Sequence, residues 1–466
     1  MNDNGLDAVI SRKMRQENVS GPAIAAFLQA VHKVQAGDTG MLPEASIDPI
    51  ATLPRLDDLP EASTSSPALL QQLAVIKLNG GLGTGMGLDR AKALMPVKNQ
   101  ETFLDFIAKQ IYHLRGNNPF PAFYLMNSFS TREDTLEYLK KYPALNGDGP
   151  LDFLQSKVPK LDAKTLEPIS WPQDPDNEWC PPGHGDIYPS LLASGLLENL
   201  LSHGIKFLFV SNSDNLGATV DVRILEDFAR SGQSFRMEVA ERTPADRKGG
   251  HLARRKEDGR FLLRESAQCP KADEAQFQDI TRHRFFNTNN LWLRLDHLKN
   301  ALDANGGALS LPLIGNSKTV DPRDPTSPKV LQLESAMGAA IECFPETGAL
   351  VVPRTRFAPV KSTGDLLALR SDAYRVTEDF RMELEPSRKA QPPVIDLDSR
   401  YKMIADFESL FPSGAPSLVR CESIKISGPI VFQPGVVCEG NVGFVNKAAE
   451  TRIVKGGLYR NQTLEL

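Results

Sequence analysis

Two features of the chain predict an α/β protein on a mixed, mostly parallel sheet, and a third predicts a β module after it. From Leu73 to about residue 380, short apolar strand candidates alternate with amphipathic helical stretches. A glycine-dense loop follows directly on the first of those strands, and ligands in such sheets bind outside the carboxyl ends of the strands. Past residue 420, apolar residues recur at short spacing with glycines between them.

The elements follow in order. Residues 1–36 carry helical periodicity, with a helix start at Ser20-Gly21-Pro22 and apolar and polar faces alternating from Ala23 to Val34. Ala36 to Pro67 is rich in Pro, Asp and Ser and reads as an extended surface connection. Strand candidates are Leu73–Leu78, Phe123–Met126, Lys206–Val210, Arg236–Ala240, Asn290–Leu293 and Ala349–Val352, with helices such as Phe103–Leu114 and Pro189–Leu201 between them. In the tail, Ile424, Ile426, Ile430, Phe432, Val436, Val442 and Phe444 stand among Gly428, Gly435, Gly440 and Gly443. That texture suits an irregular β-helix or β-roll, and equally a compact antiparallel meander.

Bulk properties exclude several classes. A chain of 466 residues is too long for one ordinary core. Its 41% hydrophobic and 24% charged content is that of a globular protein in water, and a net charge of −5 leaves no basic footprint for nucleic acid. Cys180, Cys269, Cys343, Cys421 and Cys438 form no C-x-x-C pair, which argues against structural zinc and a disulfide framework and fits a reducing compartment. The first residues lack a signal-peptide layout, and no apolar run approaches the roughly 18–20 residues of a membrane span. The expected location is the cytoplasm, with no membrane partner.

The chemistry starts at Val75-Ile76-Lys77-Leu78-Asn79-Gly80-Gly81-Leu82-Gly83-Thr84-Gly85-Met86-Gly87-Leu88-Asp89-Arg90-Ala91-Lys92. Glycine at this density lets bare backbone N–H groups approach a ligand, and the cations that follow suit a polyphosphate. It is neither a Walker loop, since no glycine is followed by lysine and a hydroxyl, nor a G-x-G-x-x-G fingerprint, which fails in each register.

Four further segments complete the inventory. Asp214, in Asn212-Ser213-Asp214-Asn215, follows a strand end, where a hard carboxylate suits Mg²⁺ shared with a nucleotide phosphate; an Asx-turn or a cap for the helix at Val222–Arg230 is the alternative. Pro181-Pro182-Gly183-His184-Gly185-Asp186 is a stiff loop whose glycines open the backbone around His184. Phe286-Asn287-Thr288-Asn289-Asn290 supplies neutral amides suited to sugar hydroxyls or to capping a strand edge. Pro353-Arg354-Thr355-Arg356-Phe357-Ala358-Pro359-Val360-Lys361 puts three cations on a proline-stiffened loop, where a lysine would stabilise charge on a transferred phosphoryl group. With no nucleophile triad or paired catalytic glutamates, this inventory fits nucleotidyl transfer by positioning and charge neutralisation.

Taken together in order, these motifs, with Met126-Asn127-Ser128-Phe129, Phe153-Leu154-Gln155-Ser156, Lys248-Gly249-Gly250 and Gln332-Leu333-Glu334, resemble the eukaryotic-type UTP–glucose-1-phosphate uridylyltransferase (UDP-glucose pyrophosphorylase) family over about residues 60–466. The resemblance implies a Rossmann-like, GT-A-like nucleotidyltransferase core followed by a left-handed β-helix. It divides the chain into an N-terminal segment (1–66), a nucleotide- and sugar-binding core (67–385) and a C-terminal β-helix (386–466). The implied reaction is reversible, Mg²⁺-dependent uridylyl transfer from UTP to glucose 1-phosphate, giving UDP-glucose and pyrophosphate.

By motif, Leu78, Asn79, Gly80 and Gly81 with Lys92 would hold UTP phosphates, and Gln155 and Gly183 would read uracil. Asn212 would serve both nucleotide and sugar; His184 would meet glucose 1-phosphate; Glu265, Asn287 and Asn289 would face the sugar. Asp214 would hold Mg²⁺ and face the substrate, and Lys361 would be the catalytic lysine bridging both phosphates, with Lys92 acting beside it. The family has Gly-Pro ahead of its lysine where this chain has Leu88-Asp89-Arg90-Ala91, so Asp89 would bring negative charge near the polyphosphate and Arg90 would offset it. The alternatives are a broader hexose-1-phosphate enzyme, accepting galactose or N-acetylhexosamine 1-phosphate, and a non-catalytic UDP-sugar-binding protein. Self-assembly, where it occurs, would use the C-terminal module.

Overall fold

The structure, a computed structural model, describes residues 3–63, 66–147, 149–389 and 391–466. Its centre is a ten-stranded mixed sheet. Strand Leu73–Asn79 lies in the middle, buried at every position, and pairs in parallel with Ala122–Asn127 on one side and Phe207–Asn212 on the other. Asp152–Leu154 extends this parallel half. The expected Asn290–Leu293 strand is the end of a longer one, Phe285–Arg294, which runs antiparallel to Phe207–Asn212. It also pairs antiparallel with Phe235–Glu241, which itself runs parallel to Thr347–Val351.

Helix Phe103–Arg115 starts from a capping box between Thr102 and Asp105 and packs Phe103, Phe106, Ile107 and Ile111 against one face of the sheet. On the other face the expected single helix Pro189–Leu201 is two, Ile187–Ala193 and Leu196–Ser202. The break falls at Gly195, whose φ of +72° takes the chain out of the right-handed region.

The N-terminal helices are Asp3–Gln16 and Gly21–Gln35, the second capped by Ser20. They share a small core with Val158, Leu161 and Leu333 through Leu6, Ile10, Ile24, Phe27 and Val31. The segment after them is more than a surface wrap. Ile47–Asp48 adds an edge strand against Arg254–Arg255, and buried Glu44 accepts from Arg264 Nη1 (2.7 Å) and Arg282 Nε (2.6 Å).

Among the described residues, the C-terminal strands pair only in parallel: Val394–Leu397, Ser417–Ser427, Val436–Val445 and Gly457–Glu465 in one sheet, Ile430–Phe432 and Arg452–Val454 in another. Parallel pairing rules out the antiparallel meander, because hairpin turns cannot join parallel neighbours. Phe432, Phe444, Ile424 and Val442 line the interior in one continuous cluster with Phe209 and Trp292 of the central sheet. All five cysteines are unpaired, and no helix among the described residues is long and apolar enough to cross a membrane.

Candidate active site

The parallel strands end side by side, with Leu78 opposite both Asn212 and Met126. Three loops therefore leave the sheet at the same edge. In the glycine loop, Gly83 (φ +66°) and Gly87 (φ +75°) flank a turn at Thr84–Met86. A Cβ on Gly81 or Gly85 would meet nothing within 4 Å, so the backbone there faces open space. Asn79 contributes only backbone: its side chain donates to Asn127 Oδ1 (2.8 Å) and Thr135 Oγ1 (2.9 Å) in the core.

One arm of the site runs from Gly80 to His184. A Cβ on Gly80 would come within 2.7 Å of Gln155 Oε1, so glycine is what lets this glutamine lie on the loop. Gln155 Nε2 donates to the Gly183 carbonyl (3.0 Å). Gly183 has φ +79°, and its Cβ would stand 2.4 Å from the Ser335 carbonyl. That close approach lets the His184 loop pair with Ser335, through Gly185 N to Ser335 O (2.9 Å) and Ser335 N to Pro182 O (3.0 Å). The Met337 backbone N–H donates to His184 Nδ1 (2.9 Å), which leaves the ring proton on Nε2. Burial lowers this imidazole to about 4, so the ring is a neutral donor.

Asp186, at the end of the same loop motif, has a task the motif alone does not reveal. Buried, it accepts from Ser156 N (2.7 Å) and Ser190 Oγ (2.7 Å), which ties the Gln155 segment to the His184 loop. Burial raises its carboxyl to about 6 against those bonds.

The second arm runs from Lys92 to Glu265. Lys92 Nζ bonds Asp214 Oδ2 at 2.5 Å, and its backbone N–H bonds the Gly81 carbonyl at 3.0 Å. Asp214 does not cap the following helix, a role filled by Asp221. The Asp214 carbonyl meets the Val360 N–H (3.4 Å), placing Asp214 between the glycine loop and the residue before Lys361. Lys361 is exposed, and its ammonium acts on the Glu265 carboxyl, which burial raises. Gly250 packs on Glu265, with a built Cβ 2.4 Å from Oε2. Asn287 and Asn289 hold each other, Nδ2 to Oδ1 at 2.7 Å and Asn289 N to Asn287 Oδ1 at 2.8 Å, with Asn289 at φ +59° beside the bulge at Glu238/Val239.

Of the three cations expected on the 353–361 loop, only Lys361 is free to meet a ligand. Arg354 pairs with Asp246 (2.9 Å). Arg356 is buried in a bidentate pair with Glu238 (2.8 and 2.7 Å), whose carboxylate also accepts from Trp292 Nε1 (2.9 Å) and Asn290 Nδ2 (3.0 Å). Asn215 locks this support to the site, donating to Arg356 O (3.1 Å) and accepting from Ala358 N (3.0 Å). The one sequence signal for it is a glutamate between Met237 and Val239 in an apolar strand. Lys77 is likewise structural: its buried ammonium, lowered to about 7 by desolvation, bonds Ser211 Oγ (2.8 Å) and Ala218 O (2.6 Å) at the two ends of the Asp214 loop. Asp89 and Arg90 are exposed, 4.0 Å apart, a separation at which a solvated pair contributes little.

This arrangement agrees with comparisons to known proteins. The family model for UTP–glucose-1-phosphate uridylyltransferase matches residues 24–439. A protein of that name from Musa acuminata is 39% identical over 450 residues, covering 94% of each chain. UDP-glucose pyrophosphorylase from Leishmania major, as a point mutant in complex with UDP-glucose, superposes with a TM-score of 0.93 at 46% identity over 99% of both chains. UDP-glucose phosphorylase from Trypanosoma brucei gives 0.90 at 48% identity over 99% of this chain and 100% of its own. With the motif loops converging at one sheet edge and this agreement along nearly the whole chain, the chain belongs to the UTP–glucose-1-phosphate uridylyltransferase family.

Proposed function

We propose that this protein transfers the uridylyl group of UTP to glucose 1-phosphate, giving UDP-glucose and pyrophosphate. A phosphate oxygen of glucose 1-phosphate attacks the α-phosphorus; the bond from that phosphorus to the bridging oxygen breaks; pyrophosphate leaves. No proton need be moved, which matches a site with no nucleophile or strong base. The observation that carries the reading is the meeting of the Lys92 and Lys361 loops on either side of Asp214.

Each residue then has a task. Backbone at Leu78–Gly81 and the Lys92 ammonium hold the UTP phosphates, Lys92 leaving Asp214 to do so. Gln155 and the Gly183 backbone read the uracil edge, and Asn212 lies between nucleotide and sugar. His184 donates from Nε2 to the sugar phosphate, while Glu265, Asn287 and Asn289 accept and donate to sugar hydroxyls. Lys361 neutralises charge on the oxygens shared by the two phosphates.

Among the described residues no three His, Cys, Asp or Glu are grouped to hold a metal. The fit is to an ion that takes one carboxylate and fills its other positions with phosphate and water, as Mg²⁺ does. Asp214 would hold it, and it would supply charge neutralisation on the phosphates. In the same reading the C-terminal module is a left-handed β-helix beginning near residue 386, supported by the parallel pairing of its strands.

The test is pyrophosphate release from UTP and Mg²⁺ with glucose, galactose and N-acetylglucosamine 1-phosphates. Strong preference for glucose is expected. Comparable rates would widen the reading to hexose 1-phosphates, and silence with all three would contradict it.

A further inference from the structure

Lys92 and Lys361 lie far apart in the chain, yet transfer requires both to meet the same phosphates at once. A second contact between their segments, on the side of Lys361's helix away from the site, is formed by Lys98. Its Nζ donates to three backbone carbonyls, Leu369 O (3.1 Å), Ser371 O (2.7 Å) and Tyr374 O. Leu369 O and Ser371 O lie at the C-terminus of helix Thr363–Arg370, where carbonyls have no partner within the helix and the dipole favours a cation. Arg370 Nη2 returns the contact, donating to Pro96 O (2.8 Å).

Both sides of this clasp are stiff. From Lys92 to Lys98 the chain is pinned by buried Ala93, Met95 and Val97, and Met95 N bonds Lys92 O (3.0 Å). On the other side, helix Thr363–Arg370 is a strut of about 12 Å at 1.5 Å per residue. Its N-terminal capping box holds Lys361 directly, since Asp365 Oδ2 accepts from both Lys361 N (2.9 Å) and Ser362 N (2.8 Å).

We propose that Lys98 is a positioning residue for uridylyl transfer: by clasping the far end of the Lys361 helix, it fixes Lys361 relative to Lys92. The proposal rests on the functional reading of those two lysines given above. An ammonium can aim three N–H groups at three converging carbonyls, whereas a methionine of similar length aims none.

The experiment measures steady-state pyrophosphate release for Lys98→Met in the wild-type background and in Lys361→Ala. Misplacing a reacting group by a fraction of an ångström to an ångström costs one to two decades, so Lys98→Met should lower kcat about ten-fold while KM for UTP stays within about two-fold. With Lys361 gone, nothing remains for the clasp to position, and the further loss should be below about two-fold. An equal loss in both backgrounds, or no loss in the first, overturns the role of Lys98 and leaves the proposed reaction standing. A Lys361→Ala enzyme with near-normal kcat overturns the roles of both Lys361 and Lys98, and again leaves the reaction itself standing. Lys98→Gln, read in the same two backgrounds, serves should the methionine variant not fold.

Discussion

Replacing Arg356 with methionine is expected to cost about 3–5 kcal/mol of stability, the range for removing one partner of a buried ion pair. Glu238 is fully buried and its carboxylate accepts four N–H groups, two from Arg356 at 2.8 and 2.7 Å and one each from Trp292 and Asn290. Methionine fills much of the arginine's volume but removes both charged donors, leaving a buried carboxylate on two neutral ones. The remaining cations that act on Glu238 are Lys77, itself pushed down to about 7 by burial, and Arg236, which is already paired with Asp227 (2.7 Å). If the cost is the stranded charge, then Glu238→Gln added to Arg356→Met should bring stability back to within about 2 kcal/mol of wild type. Urea unfolding followed by circular dichroism, read as a midpoint change at constant slope, measures both. A single-variant loss below about 1 kcal/mol, or a double variant no better than the single, would mean that the stranded Glu238 charge does not set the cost.

Other expected outcomes concern the loops themselves. Gly183→Ala would place a Cβ 2.4 Å from the Ser335 carbonyl at φ +79° and displace His184, so kcat/KM should fall about 10²-fold. Gly204→Ala, at φ +77° with nothing within 4 Å, shares the backbone strain alone and should keep kcat/KM near wild type. For His184, burial depresses the imidazole from 6.5 to about 4. Between those values the folded chain binds fewer protons than the unfolded one. The stability this residue contributes is therefore fully present above pH 6.5 and declines as pH falls toward about 4. Its Nε2–H donor persists across the same window, so in a pH profile of kcat/KM this residue should add no limb near 6.5 to that of the substrate phosphates. Such a limb in the wild type, absent from His184→Gln, would contradict this assignment.

Local requirements are legible in the sequence; partnerships across the chain are not. The glycine loop can be read because a bare backbone beside a ligand demands glycine whatever the tertiary context; Gly183 and Gly185 around His184 are as visible, but what their missing side chains make room for is Ser335, about 150 residues away. The parallel strands around it can be read from their continuous burial, since Leu73–Asn79 is inside at every position. Periodicity says nothing of direction, so the antiparallel run of Phe285–Arg294 stays hidden. The basic loop promises more in sequence than it delivers: Arg354, Arg356 and Lys361 look alike, and their fates are decided by Asp246 and Glu238, more than a hundred residues away in the chain. Asp186 has no visible role in sequence because its partners, Ser156 and Ser190, lie on different elements. The tail's pairing direction needs the structure as well, because short glycine-spaced strands suit parallel and antiparallel neighbours equally.

The proposed reaction is a direct transfer between two bound substrates, by positioning and charge neutralisation. It is tested most directly by following pyrophosphate in a single turnover, with UTP and Mg²⁺ alone and then with glucose 1-phosphate added. No release is expected from UTP alone, and one pyrophosphate per glucose 1-phosphate consumed. A burst stoichiometric with enzyme before any sugar phosphate is present would mean a covalent uridylyl-enzyme, and would contradict it.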